Sequence, residues 1–254
     1  MSHGGVTRRA LVRAYYLYHL LWSGLDLLFP PVCGGCGTPG VRWCSRCAHA
    51  VPPMPAPACA VCGTALSLSS IDFCPDCRKA RPQFRHLRSW SVFDGPIRNA
   101  LHRLKYRRDV GLGEALTPQL ACFAADLGWP IDLVVPVPLG RKRLRERGYN
   151  QVALIARPLA MALGILYDQH ALARVRDTRS QVGLARTERQ DNVRDAFIAK
   201  PARVRGRSIL LVDDVATTGS TLSSCAGALC AAGARDVFAL TVARALPHHD
   251  LGTV

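Results

Sequence analysis

The chain has 254 residues, enough for one sizeable α/β core and a small accessory module. An apolar fraction of 49% with 20% charged residues excludes a chain that is disordered over most of its length. Lys and Arg total 33 against 18 Asp and Glu, a net charge of +15, which points to a phosphate-bearing ligand or nucleic acid, or to no more than an Arg-rich coding background.

Residues 1–30 form a basic and apolar extension. Arg8, Arg9 and Arg13 precede the apolar stretch Ala14 to Leu28, in imitation of a signal peptide. His19 and Asp26 interrupt that stretch, and no small-residue cleavage site follows. The pattern predicts either a peripheral amphipathic helix or a helix that docks on the rest of the fold. No run of 18 or more uncharged apolar residues occurs, so no membrane span is expected, and the chain reads as soluble and cytoplasmic.

Residues 31–82 hold eight of the eleven cysteines in four C-x-x-C pairs: Cys33/Cys36, Cys44/Cys47, Cys59/Cys62 and Cys74/Cys77. A C-x-x-C turn brings two thiolates to one tetrahedral zinc, and two turns complete a closed four-sulfur site. Such a site has no open position for a substrate, so two structural zinc ions are expected, stabilising a module too small to bury a core. Sequential use of the pairs gives one site of Cys33, Cys36, Cys44 and Cys47 and another of Cys59, Cys62, Cys74 and Cys77. An interleaved cross-brace is the alternative, disfavoured by the stiff Pro-rich segment Val51 to Pro57 between the sets. Disulfides would require an oxidising compartment, and redox C-x-x-C motifs come singly in a βαβ setting. Cys122, Cys225 and Cys230 read as buried packing residues.

After Pro82 strand-like and helix-like segments alternate, the pattern of an α/β fold with a parallel sheet over residues 83–254. Leu87 to Phe93 reads as a strand, Pro96 to Arg107 as a helix, and Gly111 to Leu127 as a helix that Pro118 must bend or restart. Ile131 to Val135 reads as a buried strand, followed by a basic loop carrying Arg141, Lys142, Arg143, Arg145 and Arg147. Open α/β sheets bind ligands at such carboxyl ends. Tyr149 to Leu163 is the next helix, with Pro158 an unexplained interruption, and short strands are expected near Ile165 to Tyr167 and Ala171 to Val175. Arg176 to Arg194, polar and weakly periodic, reads as a mobile loop or lid, or as an ordinary solvated connection.

Ser208 to Val212 is an apolar run suited to a central strand, and it delivers Asp213 and Asp214 to the strand's carboxyl end. Val215, Ala216, Thr217, Thr218, Gly219, Ser220 and Thr221 then lead into a helix over Leu222 to Ala232. A small-residue turn at a helix N-terminus aims several N–H groups at one spot, and the hydroxyls beside it suit a phosphate monoester. Two adjacent carboxylates suit sugar hydroxyls or a hydrated Mg²⁺. A Walker B strand ends similarly, but the chain has no G-x-x-x-x-G-K-[ST]. A response-regulator receiver also begins so, but only 40 residues follow Asp214.

The thirteen residues Ile209 to Thr221 resemble the phosphoribosyl pyrophosphate (PRPP) binding motif of type I phosphoribosyltransferases. From Leu25 onward the chain resembles the ComF/GntX family, which joins a double zinc ribbon to such a domain. Leu27 to Pro30, Leu104-Lys105-Tyr106, Val135 to Pro138, Arg147 to Gln151, and the set Gln181, Arg189, Asn192, Phe197 extend the likeness. It implies that Asp213 and Asp214 hold the ribose hydroxyls, that Val215 to Thr221 wrap the 5′-phosphate, and that Val137, Pro138 and the residues to Arg141 form the pyrophosphate loop. Arg147 would join the ligand site and residues 176–194 the hood. It also implies a Mg²⁺-dependent transfer in which pyrophosphate leaves C1 of the ribose through an oxocarbenium-like transition state. Arg141, Arg143 and Lys105 would then balance the leaving charge. The family is similar to proteins needed for DNA uptake, so a single-stranded-DNA-handling accessory of the uptake machinery is the alternative function. A regulator that binds PRPP without turnover is a third. The acceptor is not legible.

Overall fold

Five parallel strands in the order β1-β7-β6-β2-β3 make the central sheet: β1 (Leu87–Val92), β2 (Leu133–Pro136), β3 (Leu166–Tyr167), β6 (Ser208–Ala216) and β7 (Asp236–Arg244). A computed structural model describes residues 7–68, 70–175 and 196–246. The hood segment 176–194, with Gln181, Arg186, Arg189 and Asn192, lies outside the described residues. On either side of it, β4 (Leu172–Arg174) and β5 (Phe197–Ala199) pair antiparallel as a separate two-stranded sheet.

Strand alternation splits the interior into two cores. On β6, Ile209 and Leu211 face one side and Leu210 and Val212 the other, all 0–2% exposed. The second side is covered by α4 (Gly95–Tyr106), α5 (Leu112–Ala115), α6 (Thr117–Asp126) and α8 (Gln151–Leu163). In α4 the buried residues Ile97, Ala100, Leu101 and Leu104 follow the i, i+3, i+4, i+7 spacing of a helix with one apolar face, each large one worth about 1.5–3 kcal/mol. The first side is covered by α10 (Ser220–Ala231), by the β4–β5 pair with the short α9 (Pro201–Val204), and by the second cysteine module. This is the expected architecture, a parallel sheet flanked by helices and preceded by a small double zinc-ribbon module with four cysteines per site.

Most expected elements form within a few residues of their sequence signals. Pro118 restarts the helix, separating α5 from α6. The run after β2 is a correction. Arg141–Arg147 is helix α7 and not a basic loop, because helix-favouring Arg, Lys, Leu and Glu lie between Gly140 at the N-cap and Gly148, which closes the turn at φ +83°. Pro158 also finds its reason. It lies inside α8 and cannot donate to the carbonyl of Leu154, four residues back. Gly113 of α5 packs against that carbonyl so closely that a Cβ there would lie 2.4 Å from the oxygen. A second correction concerns cysteines: Cys225 is buried, but Cys122 and Cys230 are exposed, since they fall on the outer sides of α6 and α10.

Candidate functional site

The cysteines form two sets, Cys33/Cys36/Cys44/Cys47 and Cys59/Cys62/Cys74/Cys77, with all sulfurs of a set within 4.8 Å of one another. This is the sequential pairing and not the cross-brace. The two modules repeat one design. Each begins with a C-x-x-C-G-T hairpin in which Cys33 or Cys59 donates its N–H to Thr38 or Thr64, and Gly37 (φ +78°) or Gly63 (φ +67°) makes the turn. Each ends at a short helix, α2 (Ser45–His49) or α3 (Pro75–Lys79), capped by Cys44 or Cys74.

The donor set fits zinc. A tetrahedral site with Zn–S bonds near 2.3 Å sets its sulfurs about 3.8 Å apart, and Cys33–Cys44, Cys36–Cys44 and Cys62–Cys74 lie at 3.6, 3.7 and 3.6 Å. Backbone N–H groups of Cys44, Cys47 and Cys74 point at sulfur at 3.4 Å, which suits thiolates. A disulfide would need about 2.05 Å. Gly35 is required at the first site because a Cβ would lie 2.6 Å from the Cys47 sulfur. The sites differ in shelter: the second is buried at all four cysteines, whereas Cys36 of the first is exposed.

The second candidate site lies where the sheet changes winding direction. From β2 the chain passes through α8 on one face to β3, and from β6 through α10 on the opposite face to β7. The β2–β6 boundary is therefore a switch point, the place where such sheets open at the carboxyl ends of their strands. β2 pairs with β6 only to Pro136↔Val212, while β6 runs on beside β7 to Ala216↔Arg244. Asp213 and Asp214 thus sit within β6, just past the departure of β2.

Alternation sends the two carboxylates to opposite faces. Asp214 is buried against α4 and α8, where Lys105 Nζ lies 3.2 Å and Gln151 Nε2 2.9 Å from its Oδ2. Gln151 Oε1 in turn accepts from Arg147 at 2.8 Å, and the Arg147 guanidinium covers the Tyr106 ring at 5.1 Å. Asp213 faces α10 and β4. Its carboxyl is pushed up to about 7, first by burial and then by repulsion from Asp214, against the pull of the Asp214 N–H, Lys105 and Arg174.

Beyond Ala216 the chain turns at Gly219 (φ +80°), a conformation that favours glycine, and Ser220 and Thr221 open α10. Thr217 is exposed, and the hydroxyls of Thr218 and Ser220 are 2.7 Å apart. The first turn of α10 directs N–H groups at the same shelf. Opposite it, Val137 bonds to Val212 through its N–H and accepts Asn150 Nδ2 at 3.0 Å, which fixes the loop of Val137 and Pro138 to the start of α8. Arg141 and Arg143 stand exposed on α7, and among the described residues neither pairs with Asp213 or Asp214. A shelf with the Asp213 carboxyl, hydroxyls and a helix N-terminus can hold a phosphorylated polyol.

Three residues of this network carry no site role in the sequence reading. Gln151 and Asn150 belong to the quoted Arg147–Gln151 run, so their signal was present. Arg174 had none, because its strand is assigned but its facing depends on the β4–β5 pair folding over α10. A cleft of about 230 Å³ under α1 (Arg8–Leu28) is the rival cavity, lined by His19, Asp26, Arg42 and Glu114 among others. Most of those groups pair with one another, His19 with Glu114 at 2.6 Å and Asp26 with Arg42, although Arg42 Nε is buried without a hydrogen-bond partner among the described residues.

Residues 24–78 match the family described as a double zinc ribbon domain. The chain is 32% identical over 230 residues to the DNA utilization protein YhgH of Escherichia coli K12, covering 87% of this chain and all of that one. It is 29% identical to competence protein F of Haemophilus influenzae over 80% of this chain and 90% of that one. Competence protein ComFC of Bacillus subtilis is 28% identical over 81% and 85%. Among solved structures, a glutamine PRPP amidotransferase from B. subtilis overlaps 56% of this chain and 30% of its own at 21% identity and a TM-score of 0.39. An adenine phosphoribosyltransferase overlaps 53% and 72% at 20% identity and a TM-score of 0.34.

Proposed function

Because the chain belongs to the ComF family, a double zinc ribbon joined to a phosphoribosyltransferase-like domain, we propose that it binds PRPP on the β6–α10 shelf and transfers the phosphoribosyl group to an acceptor. The observation that carries this reading is the position of the Ile209–Thr221 motif at the switch point of the sheet. A 5′-phosphate is held by the first-turn N–H groups of α10 and the hydroxyls of the Thr217–Thr221 turn. Asp213 accepts from a ribose hydroxyl, and Asp214 is held in place by Lys105 and Gln151. In the transfer an incoming base or amine forms a bond to C1 as the C1–oxygen bond breaks, and pyrophosphate leaves with that electron pair.

Among the described residues the clusters of three or more metal-binding side chains are the two cysteine sets, so the shelf has too few ligands for a resident cation. Asp213, on the α10 side, nonetheless suits a Mg²⁺ that arrives with the pyrophosphate, as Mg²⁺ commonly does, whereas Asp214 is already engaged by Lys105 and Gln151 on the other face. The ion would neutralise leaving-group charge. The chain's own contribution is positioning, by the Val137–Gly140 turn, which Asn150 fixes at Val137, and by the exposed cations of α7, which this reading assigns to the pyrophosphate.

The test is calorimetric titration with Mg²⁺-PRPP, followed by an assay for pyrophosphate release with a panel of bases and amines. Asp213→Asn is expected to lower turnover by on the order of 10²-fold or more. Tight PRPP binding with no release from any acceptor leaves a PRPP-binding regulator, and no binding at all overturns the assignment. The relatives' names and the +15 charge favour a second reading, single-stranded DNA handling. That reading expects affinity for a single strand that falls steeply with salt, and a flat response refutes it.

A further inference from the structure

Helix α1 is seated the wrong way round for an ordinary surface helix. Its inward-facing residues are partly polar: His19 bonds to the buried Glu114, Asp26 pairs with Arg42, and the Arg42 guanidinium lies 4.8 Å over the Trp22 ring. None of its residues is buried. Tyr16, Leu17, Leu20, Leu21, Leu27 and Leu28 are each 63–85% exposed, and Phe29 at the C-cap is 72% exposed. Positions 17, 20, 21, 24, 27 and 28 follow one side of the helix, so the leucines among them form an apolar stripe about 16 Å long. A surface helix normally turns that face to the core and its charges to water.

We propose that this stripe docks the protein on an anionic membrane surface, with α1 lying in the interface plane. Charge decides the occupant. Arg9 and Arg13 are exposed at the N-terminal end of the helix, and its one acidic residue, Asp26, is turned inward onto Arg42. A second copy meeting this face in either orientation brings leucines but no carboxylate for the arginines. Anionic headgroups supply the counter-charge while the acyl boundary takes the leucines. The helix does not cross the bilayer, being 21 residues long but not apolar enough. The ribbons and the shelf would thereby be held at the surface, whatever the shelf transfers.

The experiment is flotation of the full-length protein with phosphatidylcholine vesicles, with and without phosphatidylglycerol. The protein is expected to float with the anionic vesicles and stay behind with the neutral ones. Leu17→Gln with Leu21→Gln keeps the net charge and changes only exposed side chains; it should reduce the floated fraction at least tenfold, with an unchanged circular dichroism spectrum. Arg9→Gln with Arg13→Gln should erase the preference for anionic vesicles. Undiminished flotation of the leucine variant overturns the proposal in favour of diffuse attraction by the basic chain. No flotation of the parent overturns it too, as does a dimer in light scattering that the leucine variant abolishes while vesicles are ignored.

Discussion

Gln151 donates to Asp214 and accepts from Arg147, so one amide sets two charged groups in fixed register. Gln151→Leu removes both bonds and strips a buried carboxylate of its amide donor, at a cost of about 1–3 kcal/mol. Thermal unfolding should show that loss, and calorimetry should show PRPP affinity falling about tenfold; unchanged affinity would make the amide merely structural. Asp213 carries a pH dependence with a definite sign. Its folded carboxyl titrates near 7, above the ordinary 3.8, so between about pH 4 and 7 the folded chain keeps a proton that the unfolded chain has lost. The contribution of this group to stability therefore falls as pH rises through that window. On the proposed reading, ribose binding would run the other way, because the carboxylate is the better acceptor, and PRPP affinity should climb across pH 6 to 8 by about tenfold. Asp213→Asn should flatten both slopes; parallel slopes in the variant would assign them to another group.

At the scale of elements, the contact between α5 and α8 makes a backbone prediction. Gly113→Ala puts a methyl carbon 2.4 Å from the Leu154 oxygen, a rigid neighbour inside a helix, so the helices must separate. Overpacking of this kind costs about 1–3 kcal/mol, to be read as a lowered denaturation midpoint with unchanged metal content. An unchanged midpoint would mean that α5 is loosely seated. The same pair explains what was legible in the sequence. Local signals, such as apolar spacing in α4, Pro118 at a restart and Gly164 after α8, depend on neighbours in the chain and could be read. Pro158 could not, because the neighbour that packs on the carbonyl it leaves without a helical donor, Gly113, lies 45 residues away in sequence. The acidic pair was legible as a pair, but its division between two faces follows from β6 continuing past Val212, which only its partner β7 enforces. Arg174 acts electrostatically on Asp213 from β4, whose partner β5 is separated from it by residues 175–196, a long-range pairing that periodicity does not encode.

For the whole molecule the question is which parts stand without metal. The second cysteine site is continuous with the sheet: Cys59, Cys62, Cys74 and Cys77 share a core with Leu133, Val135, Ile209 and Leu211. Arg244 at the end of β7 donates to the Cys62 carbonyl at 2.7 Å, Arg88 reaches the Ala60 carbonyl at 3.0 Å, and the Leu87 N–H bonds to Val61 at 2.7 Å. The first site is held from outside the sheet, by Trp43 to Gln119 at 2.9 Å and Asn99 to the Gly35 carbonyl at 2.8 Å, and its Cys36 thiol meets solvent. A structural zinc supplies about 10 kcal/mol or more, as much as the entire stability of a typical domain. Losing the second ion should therefore unfold sheet and ribbon together, whereas losing the first should leave the sheet intact. Cys36→Ser is expected to yield a folded protein with about one zinc and wild-type-like PRPP binding, and Cys62→Ser a protein that fails to fold. In the parent, about two zinc equivalents should leave in sequence under graded chelation, the first without change in the sheet's circular dichroism. Simultaneous loss of both ions, or collapse of the sheet in Cys36→Ser, would show that the first module is as deeply coupled to the fold as the second.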